Sequence, residues 1–152
     1  MFYDRFRSTG YLSNWIARLM TKAIDARLKP IGMSSGYMPV MFALAHGDAL
    51  SQRALTEFAA IEQPTMAATL SRMERDGLVV RRPDPNDRRA WLYTLSDEGK
   101  ANSVKVREAG QEINAAALAG LTQNERDVFL AALAKVVSNL EAYLEETRPA
   151  DA

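Results

Sequence analysis

The sequence has no cysteine and only one histidine among its 152 residues. Disulfide bonds, thiolate metal sites and thiol redox switches are therefore excluded, and a single histidine cannot build a typical transition-metal site. We expect neither a metal nor another cofactor. Apolar runs near the roughly 20 residues that span a bilayer are also lacking. Because the first residues mix acidic and basic side chains where a signal peptide needs an apolar core, we expect a cytoplasmic protein without a membrane partner.

Net charge is likewise absent, since 19 acidic side chains balance 19 basic ones. The balance is uneven along the chain: residues 1–50 carry six basic and three acidic side chains, whereas residues 96–152 carry six basic and ten acidic ones. The C-terminal third is therefore a poor surface for phosphate groups. Between residues 81 and 89, four arginines stand against two aspartates. This local excess is small, but it falls on a predicted turn.

Helical periodicity dominates the first part of the chain. Apolar residues at spacings of three and four predict a helix over Tyr11–Leu28 that ends before Lys29-Pro30. A second helix is predicted to begin near Ser34 or Ser35, either of which can cap it, and to reach about His46.

The middle of the chain combines two short helices with a hairpin. Ser51 is predicted to cap the third helix, and Pro64 suits the first turn of a fourth helix that stops at Gly77. Two short β-prone runs follow, Leu78–Val80 and Trp91–Leu95, around a turn rich in proline, aspartate and asparagine. This pattern predicts a β-hairpin.

Two longer helices complete the predicted fold. Ser96 is expected to cap a helix to about Leu118, and Thr122 with Glu125 fits the capping-box pattern at the start of the last one. The last helix carries one apolar stripe: Phe129, Leu133, Val136, Leu140 and Leu144. We therefore expect a mainly α protein with a small β-hairpin, in the order α-α-α-α-β-β-α-α.

A short helix, a tight turn, a second helix and an arginine-bearing hairpin form the layout of a winged helix-turn-helix. On the fourth helix, Thr65, Thr69 and Arg72 recur at helical spacing and predict an outer polar stripe. Small hydroxyls and arginine suit the major groove of DNA. The hairpin tip carries Arg88 and Arg89, which could enter the minor groove.

Two alternatives stay open at this point. A winged helix can bind a protein instead of DNA, and the zero net charge favours this, as do acidic residues near the expected DNA face: Glu57, Glu62, Glu74 and Asp76. A small enzyme is the second alternative, because residues 32–36 match the G-x-S-x-G pattern of serine hydrolases. That pattern needs a strand–turn–helix elbow with an acid and a histidine later in the chain. A helix is predicted before it here, so we interpret the serines as helix caps.

The most distinctive stretches of the chain are Asp-Pro-Asn-Asp-Arg-Arg-Ala at residues 84–90 and Leu-Ser-Asp-Glu-Gly at residues 95–99. They resemble the wing and the start of the next helix in the MarR (multiple antibiotic resistance regulator) family. Residues 61–70 and Leu78 resemble its recognition helix and the strand after it, and residues 27–30 the end of its first helix. The SlyA-like branch is the most similar. The resemblance implies a homodimeric transcriptional regulator, a repressor rather than an activator, that binds a pseudo-palindromic operator in double-stranded DNA.

The resemblance covers about residues 11–145 and implies that different parts of the chain have different functions. Residues 11–32 and 96–147 would form a helical dimerisation region. Residues 33–95 would form the winged helix-turn-helix DNA-binding region, and residues 148–152 a short polar tail.

The resemblance also assigns roles to individual residues. By position, Arg89 matches the wing-tip arginine of the family, with Arg88 as the alternative, and Asp87 matches the acidic residue that orients it. The DNA-binding residues predicted in this way and from the polar stripe are Ser51, Gln52, Gln63, Thr65, Thr69, Arg72, Arg82, Asp87, Arg88 and Arg89.

Members of the family can bind a small, often aromatic acid between the dimer helices and the winged region. The resemblance therefore implies a small-molecule effector as a further partner. The candidate residues that would bind it are Trp15, Arg18, Tyr37, Met41, Phe42 and His46. Trp15 and Met41 at helical spacing are more simply explained as core residues.

Overall fold

The structure, a computed structural model, describes residues 4–87 and 89–147. Its helices are α1 (Thr9–Leu28), α2 (Met38–Leu44), α3 (Gln52–Ala59), α4 (Gln63–Arg75), α5 (Asp97–Ala117) and α6 (Gln123–Glu146). Its strands are β1 (Leu50–Ser51), β2 (Val79–Pro83) and β3 (Trp91–Leu95). Short 3-10 turns cover Arg5–Arg7, Lys29–Ile31 and Ser35–Tyr37. The predicted order of six helices and one hairpin is confirmed.

The chain divides into two compact units, Met1–Ile113 and Asn114–Ala152, with the boundary inside α5. The polar tail predicted at residues 148–152 lies outside the described residues, as does Arg88.

The sheet has three antiparallel strands in the order β1-β3-β2. β2 and β3 form the predicted hairpin, with Val79 opposite Leu95 and Pro83 opposite Trp91. β1 adds a short third strand in which Leu50 pairs with Tyr93. The sequence did not predict β1, because a strand of two residues is too short to show the alternation that identifies strands.

The second helix begins more gradually than predicted. Ser34 caps the 3-10 turn before it, since its Oγ accepts a hydrogen bond from the backbone N–H of Gly36 at 3.2 Å. Pro39 lies in the first turn of α2, where its missing N–H leaves no bond broken. Ser34 of the serine-containing motif is thus a cap, as interpreted, but of the 3-10 turn rather than of α2, whose N-cap Tyr37 makes no side-chain cap hydrogen bond.

The core of the first unit is built around α2, α3 and α4. The apolar stripe predicted on α4 is fully buried, and it packs in one cluster with Leu55 of α3; its members are Met66, Leu70 and Met73. α4 begins with Pro64 in its first turn and ends before Gly77, whose φ of 71° is the left-handed conformation that glycine adopts at helix ends. One face of α4 is thus held by the core.

Ser96 joins β3 to α5. Its Oγ accepts a hydrogen bond from the backbone N–H of Gly99 at 2.9 Å and donates one to the carbonyl of Gly77 at 2.6 Å. Ser96 therefore caps α5 as predicted, and it also stabilises the turn that follows α4. Gly99 lies so close to the carbonyl of Leu78 that a Cβ atom at this position would overlap it.

α6 is the main element of the second unit. The predicted capping box is present, because Thr122 Oγ1 accepts from the backbone N–H of Glu125, and the Glu125 carboxylate accepts from the backbone N–H of Thr122. No residue of α6 is buried in the described chain. Across residues 4–87 and 89–147, no helix is both long enough and apolar enough to cross a membrane.

Candidate nucleic-acid interface

The outer face of α4 presents polar side chains to solvent. Thr65 and Arg72 are exposed, as predicted. The Arg72 side chain lies along its own helix, with Nε donating to the carbonyl of Ala68 at 3.3 Å and Nη2 to Thr69 Oγ1 at 3.4 Å. The guanidinium group is therefore held on the helix surface rather than directed into the core.

Thr69 does not lie on this outer face. Only 3% of it is exposed, so its predicted place on the outer polar stripe is wrong. Thr69 follows the fully buried Met66 by three residues and precedes the fully buried Met73 by four, so it borders the apolar face of the helix and is enclosed with it. Its hydroxyl serves as an acceptor for Arg72. We therefore remove Thr69 from the residues that contact DNA directly.

The N-termini of α3 and α4 are joined by two predicted site residues. Gln52 Nε2 donates a hydrogen bond to Gln63 Oε1 at 2.9 Å on the exposed surface. Ser51 caps α3 by accepting from the backbone N–H of Ala54 at 3.2 Å. Since each glutamine keeps further donor or acceptor capacity, the pair offers hydrogen-bonding groups at the starts of α3 and α4.

The hairpin tip is shaped by its aspartates. Asp84 Oδ1 accepts from the backbone N–H of Asn86 at 2.8 Å, and Asp87 Oδ1 accepts from the backbone N–H of Arg89 at 2.9 Å. The Asp87 carboxylate thus fixes the backbone from which the exposed Arg89 side chain projects. Asp84 thus belongs to the turn that the run of proline, aspartate and asparagine predicts.

One cleft brings the wing and the start of α3 together. It has a volume of about 420 Å³, and its lining includes four predicted site residues: Ser51, Gln52, Asp87 and Arg89. Arg53 also lines it and was missed by the sequence analysis, because nothing in the local pattern distinguishes it from an ordinary solvent-exposed helix residue. Arg82 lies on β2 and is exposed.

Ion pairs occupy most of the acidic residues near this surface. Arg53 pairs with Glu57 at 2.9 Å, Arg81 with Glu74 at 3.0 Å and Arg75 with Asp76 at 3.0 Å. Three of the four acidic residues that favoured a protein partner are therefore paired with arginine. The pKa of Asp76 is lowered, first by a hydrogen bond from Tyr37 and then by Arg75.

The six predicted ligand-pocket residues are not gathered at one site. Met41 is fully buried in the core, and Tyr37 is buried with its hydroxyl bonded to Asp76. Trp15 and Phe42 are each 37% exposed, and His46 is exposed. Arg18 lines a groove of about 480 Å³ along α1, whose other lining residues are Asn14, Ala17, Thr21, Lys22 and Asp25. That groove contains none of the other five predicted residues.

Metal-binding side chains are not clustered either. Within residues 4–87 and 89–147, no group of three or more histidine, aspartate or glutamate side chains is placed to hold a metal ion.

The helix pair α3–α4, followed by the β2–β3 hairpin, defines a winged helix-turn-helix protein. Comparison with known proteins assigns the family. The model of the MarR family matches residues 31–90. The transcriptional regulator HosA of Escherichia coli O111:H- is 32% identical over 99 residues, which cover 65% of this chain and 73% of HosA.

Solved structures agree with this assignment. PcaV from Streptomyces coelicolor, crystallised with its natural ligand, is 25% identical and superposes with a TM-score of 0.81 over 91% of this chain and 97% of PcaV. A MarR-family regulator from Listeria monocytogenes, complexed with 26mer DNA, shares the fold with a TM-score of 0.84 at 19% identity, over 96% of this chain and 99% of that one. The chain belongs to the MarR family. It is a DNA-binding transcriptional regulator, and its relatives are regulators rather than enzymes.

Proposed function

We propose that this regulator is a homodimeric repressor that recognises a pseudo-palindromic operator. In each protomer, α4 enters the major groove with Thr65 and Arg72 on its outer face, and the wing places Arg89 in the neighbouring minor groove. The observation that carries the proposal is the cleft that Arg89 and Asp87 share with Gln52 at the start of α3. The wing and the start of α3, both of which can contact DNA, thus lie side by side.

The charges of this surface support phosphate binding despite the zero net charge. Within the described residues, ion pairs neutralise Glu57, Glu74 and Asp76, whereas no such pair is found for Arg72, Arg82 or Arg89. Of the acids near α4, these three therefore detract less from the arginines, whereas Asp84 and Asp87 line the same cleft as Arg89. We expect affinity to rest on phosphate contacts and base preference on α4.

A second copy of the chain is the expected partner of α6. The last part of the apolar stripe on this helix stays exposed in the described chain, with Leu140 at 57% and Leu144 at 65%, whereas Leu133 and Val136 are half-buried. Exposed apolar area of this kind is characteristic of interaction surfaces. A two-fold dimer would present two wings and two recognition helices, and we expect half-sites roughly one helical turn apart, about 10 base pairs.

We further propose that a small aromatic or acidic effector releases the DNA. The ligand bound to PcaV supports this, and Arg18, which lines the groove along α1 together with Lys22, is a basic residue able to pair with an acid. Such a ligand would act by binding more tightly to the state that cannot bind DNA. The cytoplasmic location and the SlyA-like branch stay predictions from the sequence.

Selection of bound duplexes from a random DNA pool tests the proposal. The selected duplex is then titrated by fluorescence anisotropy at several salt concentrations. We expect a two-fold symmetric site and an affinity that falls steeply with salt. A pool without enrichment, obtained with protein refolded free of small molecules, would instead favour a winged helix that binds other proteins.

The wing assignment has its own test in Arg89→Ala. We expect weaker binding and a salt slope reduced by roughly 1 per protomer, with an unchanged melting temperature. Arg53→Ala removes an arginine from the α3 side of the same cleft. Its loss of affinity shows how much removal of any arginine from the cleft weakens DNA binding. Unchanged affinity of Arg89→Ala at moderate salt would overturn the placement of the wing in DNA.

A further inference from the structure

Arg81 and its neighbour Arg82 face opposite sides of the wing. In the β2–β3 ladder, Arg81 stands opposite Tyr93, and Val79 stands opposite Leu95. Val79, Tyr93 and Leu95 are all buried. Because side chains alternate along a strand, Arg81 belongs to the face that looks toward the core, and Arg82 to the face that looks away from it.

The Arg81 guanidinium group holds two partners on different elements. Its Nε lies 3.0 Å from Glu74 Oε1 in the last turn of α4. Its Cζ lies 4.7 Å from the centre of the Trp91 ring, the first residue of β3. A planar guanidinium can donate through its edge while its face stacks on an aromatic ring, which an ammonium group cannot do.

Glu74, Arg81 and Trp91 thus connect the end of the recognition helix to both strands of the wing. We propose that Arg81 is a positioning residue for DNA recognition: it sets the orientation of the wing relative to α4 and does not itself contact DNA. This inference rests on the proposed function, in which α4 and the wing occupy adjacent grooves. Two elements held in the bound orientation bind more tightly, because less conformational freedom is lost on association.

The salt dependence of binding separates this role from a phosphate contact. We would measure the affinity of the selected duplex for the wild type, Arg81→Ala, Arg81→Lys and Arg82→Ala over a range of salt concentrations. We expect both Arg81 variants to bind roughly tenfold more weakly, with the wild-type salt slope. Arg82→Ala is the matched control and should lower the slope by roughly 1 per protomer.

Two further measurements make the test independent of folding defects. Glu74→Gln removes the carboxylate that pairs with Arg81, and we expect it to weaken DNA binding about as much as Arg81→Ala does. The double variant should lose little more affinity than either single variant. In the free protein, Arg81→Ala should shift the tryptophan emission, and the shift should vanish in a Trp91→Phe background, where Trp15 is the remaining tryptophan.

The possible failures are distinguishable. If Arg81→Lys restores affinity and Arg81→Ala lowers the salt slope, Arg81 is a phosphate contact and the inference is wrong. If Arg81→Ala binds as the wild type does, the connection has no role in recognition. If the wild type itself shows no salt-dependent DNA binding, the proposed function fails, and the inference fails with it.

Discussion

The phenol hydroxyl of Tyr37 donates a 2.7 Å hydrogen bond to Oδ2 of Asp76, 39 residues further along the chain. Tyr37 ends the turn before α2, and Asp76 is the C-cap of α4. The bond therefore ties the end of the recognition helix to the start of another core helix. It also gives a structural role to a tyrosine that the sequence placed in a ligand pocket.

The Tyr37–Asp76 bond should make stability depend on pH. Its formation lowers the pKa of Asp76, and the pKa of Tyr37 is raised by burial and by this bond. A lowered folded-state pKa stabilises the protein above the unfolded value of about 4 and stops doing so as the pH falls through the folded value.

We therefore expect Tyr37→Phe to lower the melting temperature at pH 7, and the difference from the wild type to narrow below about pH 4. Thermal unfolding at pH 7, 5 and 3 measures this difference in melting temperature. Tyr143→Phe, which removes the hydroxyl of an exposed tyrosine, is the control. A difference that stayed constant down to pH 3 would contradict the assignment to Asp76.

Gly99→Ala should destabilise the protein strongly. The added methyl group would overlap the Leu78 carbonyl, which is backbone and cannot rotate away. We expect a loss of about 2–3 kcal/mol or more in the free energy of unfolding, measured by urea denaturation. Gly10→Ala in α1 meets nothing within 4 Å and should cost nothing. Similar behaviour of the two variants would show that α5 can move away from the wing.

Arg72→Ala should change which DNA sequence is preferred. If Arg72 contacts a base from the outer face of α4, its loss costs about 1–3 kcal/mol of discrimination at one position of each half-site. Repeating the duplex selection with the variant measures this. Arg75→Ala, where the arginine is paired with Asp76, should leave the preferred sequence unchanged. A uniform loss across all sequences would mean that Arg72 contacts only phosphate.

Leu140→Glu combined with Leu144→Glu should separate the proposed dimer. Both side chains are exposed on α6, and a carboxylate buried in an apolar interface is costly. We expect sedimentation to report a chain of 16.9 kDa instead of twice that mass, and binding to the two-fold operator to be lost. Ser138→Glu adds a charge on another side of the same helix and should stay dimeric. A monomeric wild type would contradict the proposal.

Elements marked by local signals could be predicted from the sequence. Ser51, Pro64 and Thr122 begin their helices where expected, because a cap or a proline acts within one turn of its own position. The hairpin was found for the same reason, since its turn residues and β-prone runs are adjacent in the chain. Four of the predicted DNA-binding residues likewise line one cleft: Ser51, Gln52, Asp87 and Arg89.

What only the tertiary structure decided is how neighbouring side chains divide between core and surface. Periodicity identifies a polar stripe on α4, but packing determines that Thr69 is enclosed while Arg72 is exposed. The partners of Tyr37 and Arg81 lie on other elements, and no local pattern specifies such contacts. The sequence by itself determined the six helices, the hairpin and the chemistry that they carry, because those signals are local; the two-residue strand β1 depends on pairing with β3, which no local signal shows. The structure decided which of these side chains meet, because that depends on how the elements pack.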